Sequence, residues 1–444
     1  MTTTYDPQHH EYRDEAATRA AMTGVFDTCR TCRACIGMCP SFTTLFDILD
    51  ALGGGGAGSM TPDEQDRVAR GCSQCASCYV NCPYTPGAHP AAIDFPRLML
   101  RAAAMRRANG LVGWRERFAG DVLGRVDLVG AVATKIPGPV NSAIGARQRS
   151  LRRLLVAAIL GVSTRRRIAP FSALRFSAWF RRRPKVRTTN AQGTVAVFPD
   201  CVVEYREPSI GRALVKVYEH NGVQCTLSAA RCCGAPLIHA GDVDGFTKVA
   251  VDNVAVLAAE VRSGRKIVVS QPGCGYVIRR NYLDHVGGPD AQLVAHHTYD
   301  ASEYLMALHH GEGTTLDTTF PGAVPATVVY NVTGHLGALG VDAKGRDLMK
   351  LTGARVTVVD DASGGAGRWA LRVGNARRAL PFARRLGERM TMSGGEVYAG
   401  DCHFTNTAIS EQTGRAPLHP LQVVAKAYGV EHDEVQQAAQ GGQQ

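Results

Sequence analysis

No apolar run in this chain is long enough to cross a bilayer. The most apolar stretch, LLVAAILGV at 154–162, is about half the length a spanning helix needs, so any membrane contact is expected to be peripheral. The opening residues, MTTTYDPQHHEYRDEAATRAA, lack both the basic start and the apolar stretch of a secretory signal. On that reading the chain stays in the reducing cytoplasm, where its 14 cysteines read as metal ligands or redox groups and not as disulfides. At 444 residues it can bury several cores and needs no covalent staples. Acidic residues are scarce in one place. Residues 101–187 carry 20 Lys and Arg against 3 Asp and Glu, a net of +17, which leaves the rest of the chain at −6 of the overall +11. The basicity belongs to one segment, and no reading motif for nucleic acid accompanies it, so nucleic acid is not an expected partner. A dinucleotide loop is also lacking. GHLGALG at 334–340 spaces its glycines G-x2-G-x2-G, and no acidic residue is placed to hold a ribose.

The cysteines that are present fall in a pattern. CRTCRACIGMCP supplies Cys29, Cys32, Cys35 and Cys39; CSQCASCYVNCP supplies Cys72, Cys75, Cys78 and Cys82. Each is C-x2-C-x2-C-x3-C-P, the run of bacterial two-cluster ferredoxins, in which the last cysteine serves the other cluster. One [4Fe–4S] cluster is therefore assigned to Cys29, Cys32, Cys35 and Cys82, the other to Cys72, Cys75, Cys78 and Cys39. The competing reading, a pair of structural zinc sites, usually takes two C-x2-C pairs and not a triple with a following proline. Between the runs, a glycine stretch precedes a helix start with Thr61 as N-cap, Pro62 at the first position and Glu64 closing a capping box. Arg30 and Arg33 inside the first run either raise the potential of the neighbouring cluster or point to solvent.

From residue 193 the texture changes. TVAVFPDC reads as a strand ending at Cys201, VQCTLSAARCC as one ending at Cys232 and Cys233, and KIVVSQPGC as one ending at Cys274. The intervening DGFTKVAVDNVAVLAAEVRSG has helical periodicity, so the segment reads as a parallel sheet with crossover helices, in which ligands gather at the carboxyl ends of strands. Adjacent cysteines rarely bond each other. Cys232 and Cys233 are therefore read, with Cys201 and Cys274, as a four-thiolate site for a third [4Fe–4S] cluster, zinc on the same ligands being the main rival. The texture then repeats: ATVVYNVTGHLGALG, DASGGAG and VYAGDCHFTN stand where the three strands stood. In the second copy Gly334 replaces Cys201, Ala362 and Ser363 replace the pair, and only Cys402 matches Cys274. One thiolate cannot hold a cluster, so this copy is expected to be a scaffold without metal. Cys225 and Cys402 are left outside the three ligand sets.

The spacing of the two runs resembles the all-helical ferredoxin module of fumarate reductase and heterodisulfide reductase iron–sulfur subunits. The whole order of features, including NCPYTPGAHPAAIDFPRLMLR, the CCG of the first repeat and DCHFTNTAISEQTGRAPLHPLQVVAKAYG, resembles the family of the anaerobic glycerol-3-phosphate dehydrogenase C subunit, glycolate oxidase iron–sulfur subunits and heterodisulfide reductase cysteine-rich proteins. The resemblance implies an α+β multidomain chain. It comprises an all-helical ferredoxin domain at 1–100, a basic amphipathic helical segment at 101–192, a cysteine-rich (CCG) α/β repeat at 193–318, a degenerate repeat at 319–432 and a disordered tail at 433–444. Two departures limit it. Gln271 stands where heterodisulfide-reducing members carry the first cysteine of a C-x2-C, which argues against their five-cysteine clusters, and the second repeat has lost its cysteine set and with it any metal site. His335, where the family has Cys-His, reads as a hydrogen-bonded packing residue and not as a ligand.

The resemblance further implies an electron-transfer subunit with no substrate pocket of its own, relaying electrons from an FAD-containing dehydrogenase of glycerol-3-phosphate, glycolate or lactate type to a quinone or another acceptor. The alternative is a heterodisulfide-reductase-like, or peroxide- or thiol-linked, reductase acting directly at the third cluster. The basic segment, in which arginine clusters alternate with Leu154, Leu155, Ile159, Leu160, Phe171, Phe176, Trp179 and Phe180, is expected to form amphipathic helices broken at Pro170. These would lie on the anionic inner face of the cell membrane with their aromatic groups, Phe176 and Trp179 among them, buried in it; the competing reading is a solvated helical linker whose apolar face packs on the chain's own domains.

Overall fold

The computed structural model describes residues 4–145, 150–184, 192–361 and 365–430; the expected tail at 433–444, Ala362 and Ser363 lie outside them. The first hundred described residues are helical. Helices Glu15–Cys32, Pro40–Ala51, Pro62–Ala69 and Phe95–Ala108 close over Met22, Phe26, Phe42, Leu45 and Leu98. The third of these begins where its capping box predicts: the Thr61 hydroxyl accepts from the Glu64 N–H, the Glu64 carboxylate accepts from the Thr61 N–H at 2.8 Å, and Pro62 opens the helix.

Two parallel sheets follow. Strands β1 (Gly193–Val197), β2 (Val223–Leu227), β3 (Lys266–Val269) and β4 (Thr298–Asp300) lie in the order β2-β1-β3-β4. Strands β5 (Thr327–Asn331), β6 (Arg355–Val359) and β7 (Val397–Gly400) lie in the order β6-β5-β7. In both sheets the first strand is central and the next two flank it, the winding a duplication produces. Alternate residues of β1 face opposite helical layers: Val195 and Val197 pack with Leu214, Val217 and Tyr218, while Ala196 packs with Phe246 and Leu257. The strands stop short of the cysteines that the sequence places at their tips. β2 ends at Leu227, before the β-poor Ser-Ala-Ala run, and Pro272, which has no N–H for a ladder, follows β3. The cysteines sit on the loops just beyond.

The basic segment is helical at Trp114–Gly124, Val126–Ala133, Pro137–Gly145, Leu151–Leu160 and Phe176–Arg182. Its expected membrane anchors are not on the surface. Phe176 is fully buried and Trp179 is 3% exposed, both in the core of the first sheet beside Leu214, because Gly211 on the facing helix leaves room for the Phe176 ring. The break between the last two helices spans residues 161–175, and there Ser163 N–H donates to Leu371 O at 2.6 Å while Val373 N–H donates to Gly161 O at 2.9 Å. The segment is thus stitched to the second repeat. Among the described residues no helix is long and apolar enough to cross a membrane.

Candidate functional site

Helix Glu15–Cys32 carries Cys29 and Cys32 on its last turn and ends at Arg33, whose left-handed backbone (φ 54°) reverses the chain. The reversal aims Cys35 back at that turn. Cys29, Cys32, Cys35 and Cys82 line a cavity of about 30 Å³, which Cys78 also touches; Cys39, Cys72, Cys75 and Cys78 line a second of about 10 Å³. Cys82, the last cysteine of the second run, thus lines the cavity of the first triple, and Cys39 that of the second. Burial first, and then the neighbouring thiols, push Cys29 and Cys35 up to about 12. Cys39 rises to about 12 as well, chiefly by burial, although it accepts from the N–H groups of Ser41 and Phe42 at the start of helix Pro40–Ala51. Thiols this reluctant to ionise become thiolates only when a cation replaces the proton, which suits a metal-bearing cluster. Arg33 lines the first cavity, pairs with the Asp50 carboxylate and lies 5.1 Å over the Phe46 ring; Arg30 is exposed.

The third set is built by three loops. Asp200, fully buried, accepts from the N–H groups of Val202 and Val203 at 3.0 and 3.1 Å and from Ser270 Oγ at 2.8 Å, so Cys201 is held on the first turn after β1. Asn253 accepts from Arg231 N–H at 2.9 Å and donates to Cys232 O at 3.2 Å, fixing the loop after β2. Gly234 turns that loop with φ +82°, where a Cβ would stand 2.9 Å from the Phe246 ring. Cys274 sits in the short helix Pro272–Tyr276 after β3. The result is a contiguous chain of sulfurs: Cys201 is hydrogen-bonded to Cys232, Cys232 to Cys233, and Cys233 Sγ lies 3.2 Å from Cys274 Sγ. Cys201 is raised by its hydrogen bond to Cys232 and by burial; Cys274, although Cys233 donates to it, is pushed by burial up to about 12. Among the described residues no three His, Cys, Asp or Glu side chains form a ready-made single-ion site. The fit of a bound group to this third set rests on its chemistry: four neighbouring sulfur donors, Cys232, Cys233 and Cys274 buried and Cys201 half-buried, are a set for soft cations.

One contributor escaped the sequence reading. Asp127, from the basic segment, accepts from Cys232 N–H at 3.1 Å and from the Tyr205 hydroxyl at 3.2 Å. Its only signal is that it is one of the three acids in that segment.

Cys225 lies apart in the core on β2, and Cys402 accepts from Gln271 Nε2 at 3.2 Å, so neither joins a set. His335 is half-buried and its Nε2 donates to Gln74 O at 2.8 Å; desolvation lowers it to about 4 and keeps it neutral. Gly334 packs against Cys75 O and Ser77, so the loop that lost its cysteine receives the second ferredoxin run. One further feature has no signal in the sequence. A cavity of about 480 Å³ lies between the helices of the basic segment and the carboxyl end of the first sheet, with Cys201, Arg206, Arg368 and His403 in its wall.

Residues 195–279 match the family of the cysteine-rich CCG domain, which spans β1 to β3 and all four cysteines of the third set. The chain is 30% identical over 313 residues to the anaerobic glycerol-3-phosphate dehydrogenase C subunit of Escherichia coli, covering 69% of this chain and 76% of that protein. It is 24% identical over 218 residues to lactate utilization protein A of an Exiguobacterium species (46% and 84% covered). It is also 29% identical over 107 residues to an uncharacterized iron-sulfur protein of Methanococcus maripaludis (21% and 19%).

Proposed function

Because the chain belongs to the family of the anaerobic glycerol-3-phosphate dehydrogenase C subunit, we propose that it is an iron–sulfur electron-transfer subunit of a dehydrogenase complex. Cys29, Cys32, Cys35 and Cys82 hold one [4Fe–4S] cluster, Cys39, Cys72, Cys75 and Cys78 a second, and Cys201, Cys232, Cys233 and Cys274 a third. When bound, each such cluster takes up and gives up one electron without bond rearrangement. The protein's own part is to bury the ligands, exclude water and hold the three sets close together.

The observation that carries this reading is the contact between the second run and the third set. Gln74, one residue before Cys75, accepts from His335; the His335 ring lies 3.7 Å from a Cβ position at Gly273, the neighbour of Cys274. Tyr79 of the second run accepts from Arg280 at 3.0 Å, on the helical stretch that follows Cys274. A relay needs such short protein-filled gaps, and a set of independent zinc scaffolds would not.

The donor is an FAD-containing dehydrogenase and the acceptor a quinone or another carrier, in keeping with the words dehydrogenase and lactate utilization in the relatives' names. The place of work is the cytoplasmic face of the membrane. The basic segment exposes both Arg125, Lys135 and Arg152 and the apolar Leu128, Ile136, Leu151, Leu155 and Ile159, the mixed composition of segments that settle on anionic lipid. The test is anaerobic purification with the natural partners, identification of the flavoprotein by mass, and spectroscopy of the clusters on adding its substrate. Clusters that stay oxidised while the flavin is reduced would remove the relay.

A further inference from the structure

The cavity of about 480 Å³ has two ends of different chemistry. One end is apolar: Val129, Ala133, Val140, Ile144, Val156 and Leu160 line it from three helices of the basic segment. It reaches solvent at Leu128 and Val132, which line it while being 61% and 53% exposed. Both lie on helix Val126–Ala133 of the basic segment. The other end is polar and lies at Cys201.

Cys201, Arg206 and Arg368 line this end together. Arg166, 5% exposed, pairs with Glu411 at 2.8 Å and donates to Gly365 O at 3.0 Å, yet its buried Nη1 has no partner among the described residues. Arg368 donates to Leu123 O at 2.6 Å, and its Nη1 too is buried without a partner among them. Both side chains line the cavity, so unspent guanidinium donors stand at its polar end. A buried donor left unpaired is costly, the more so when charged, and a ligand oxygen recovers that cost. His403, also in the wall, is bonded through Nδ1 to Glu207 at 2.5 Å.

We infer that this cavity binds a membrane quinone, with the tail among the helices of the basic segment and a ring carbonyl at Arg166, Arg368 and His403 beside Cys201. The inference rests on the proposed relay and names its acceptor site within this chain. A quinone matches both ends: its tail is apolar, its carbonyl oxygens only accept, and cationic donors favour the negative charge that reduction places on them. An acyl lipid would match the apolar end but leaves the position beside a redox cysteine without a role. Reduction to the quinol takes two electrons, supplied by the flavoprotein partner of the relay, and two protons, drawn from the His403 and Glu207 pair and from solvent.

The experiment uses the full-length protein purified anaerobically and a photoreactive azidobenzoquinone with a short isoprenoid tail, with labelled peptides mapped by mass. Label is expected on peptides within 123–171 and 403–408. It should fall at least tenfold in Val129→Trp, which fills the apolar end, and in Leu128→Trp at the exposed mouth, where the fold is not at risk. Val251→Trp, on the exposed face of helix Val243–Arg262 and outside the cavity, should label as wild type. An unlabelled quinone should compete, and a phospholipid without the ring should not. Equal competition by the phospholipid makes the cavity an acyl-chain site, and label indifferent to the mouth variant places the quinone elsewhere; either result overturns the inference. Both would leave the relay standing, since that reading is judged by iron content and cluster reduction. A chain without iron that still took the label would remove the relay and keep the site.

Discussion

Gly334 lies directly on Ser77: a Cβ at this glycine would come within 2.4 Å of Ser77 Oγ and 2.6 Å of its backbone nitrogen. The position that carries Cys201 in the first repeat is, in the second, the seat of the ferredoxin run. Loss of the cysteine therefore goes with a gain of contact. Gly334→Ala should destabilise the chain by about 1–3 kcal/mol, the usual cost of overpacking, and loosen the second run. The check is anaerobic thermal unfolding together with limited proteolysis near residue 77; an unchanged midpoint and digestion pattern would mean the two surfaces separate freely in solution.

Iron content tests the three ligand sets. Wild-type protein should carry about 12 irons with equal sulfide. Cys232→Ser or Cys233→Ser should lose one cluster and leave the other two spectroscopically normal, because the sets sit in separately packed cores. Cys225→Ser and Cys402→Ser should keep all the iron. Stoichiometric zinc beside about 8 irons would assign the third set to zinc.

The charge beside the first cavity is held in check by an ion pair. Asp50→Asn leaves Arg33 unpaired next to Cys29, Cys32, Cys35 and Cys82, and the added positive charge should raise the midpoint potential there. Arg30→Gln, at an exposed position, should have a smaller effect. Redox titration followed by electron paramagnetic resonance reads both, and a drop in potential for Asp50→Asn would contradict the arrangement.

Acid should weaken the fold through buried neutral histidines. His419 is lowered to about 4, by burial above all, while its Nε2 donates to Ser270 O at 3.1 Å; burial also takes His285 to about 4. The unfolded chain protonates these groups near their ordinary value of about 6.5. Their contribution is therefore whole above that pH and is lost as pH falls toward 4, roughly 3 kcal/mol for each across the full window. His419→Asn keeps a helix-capping acceptor and removes the titration. The difference between its unfolding midpoints at about pH 7.5 and about pH 5 should be smaller than in wild type; an equal difference would place the acid sensitivity elsewhere.

Membrane contact, if made by the basic segment, runs through helix Leu151–Leu160. Leu151, Leu155 and Ile159 are 79%, 60% and 59% exposed, whereas Trp179 is core. Flotation with anionic liposomes should be weakened by salt and abolished by Leu155→Glu with Ile159→Glu. Trp179→Ala should lower stability by about 3–5 kcal/mol, as large aromatic truncations do. Binding that ignores the double variant would move the contact to a partner subunit.

Cysteine spacing within each run, the capping box at Thr61 and the strands before the cysteine loops were legible because they are written within a few neighbouring residues. Even the crossing of Cys39 and Cys82 follows from run spacing, since a closely spaced triple covers one face and leaves the fourth corner to a distant residue. The decisions made by tertiary structure link residues far apart in sequence: Asp127 to Cys232, Gly334 to Ser77, Arg166 to Glu411 and the basic helices to the cavity beside Cys201. An amphipathic pattern says that a face is apolar and is silent on what covers it. Phe176 and Trp179 share that pattern with Leu155 and Ile159, and only the room left by Gly211 and the fit of the first sheet's helices sent one pair into the core and left the other outside.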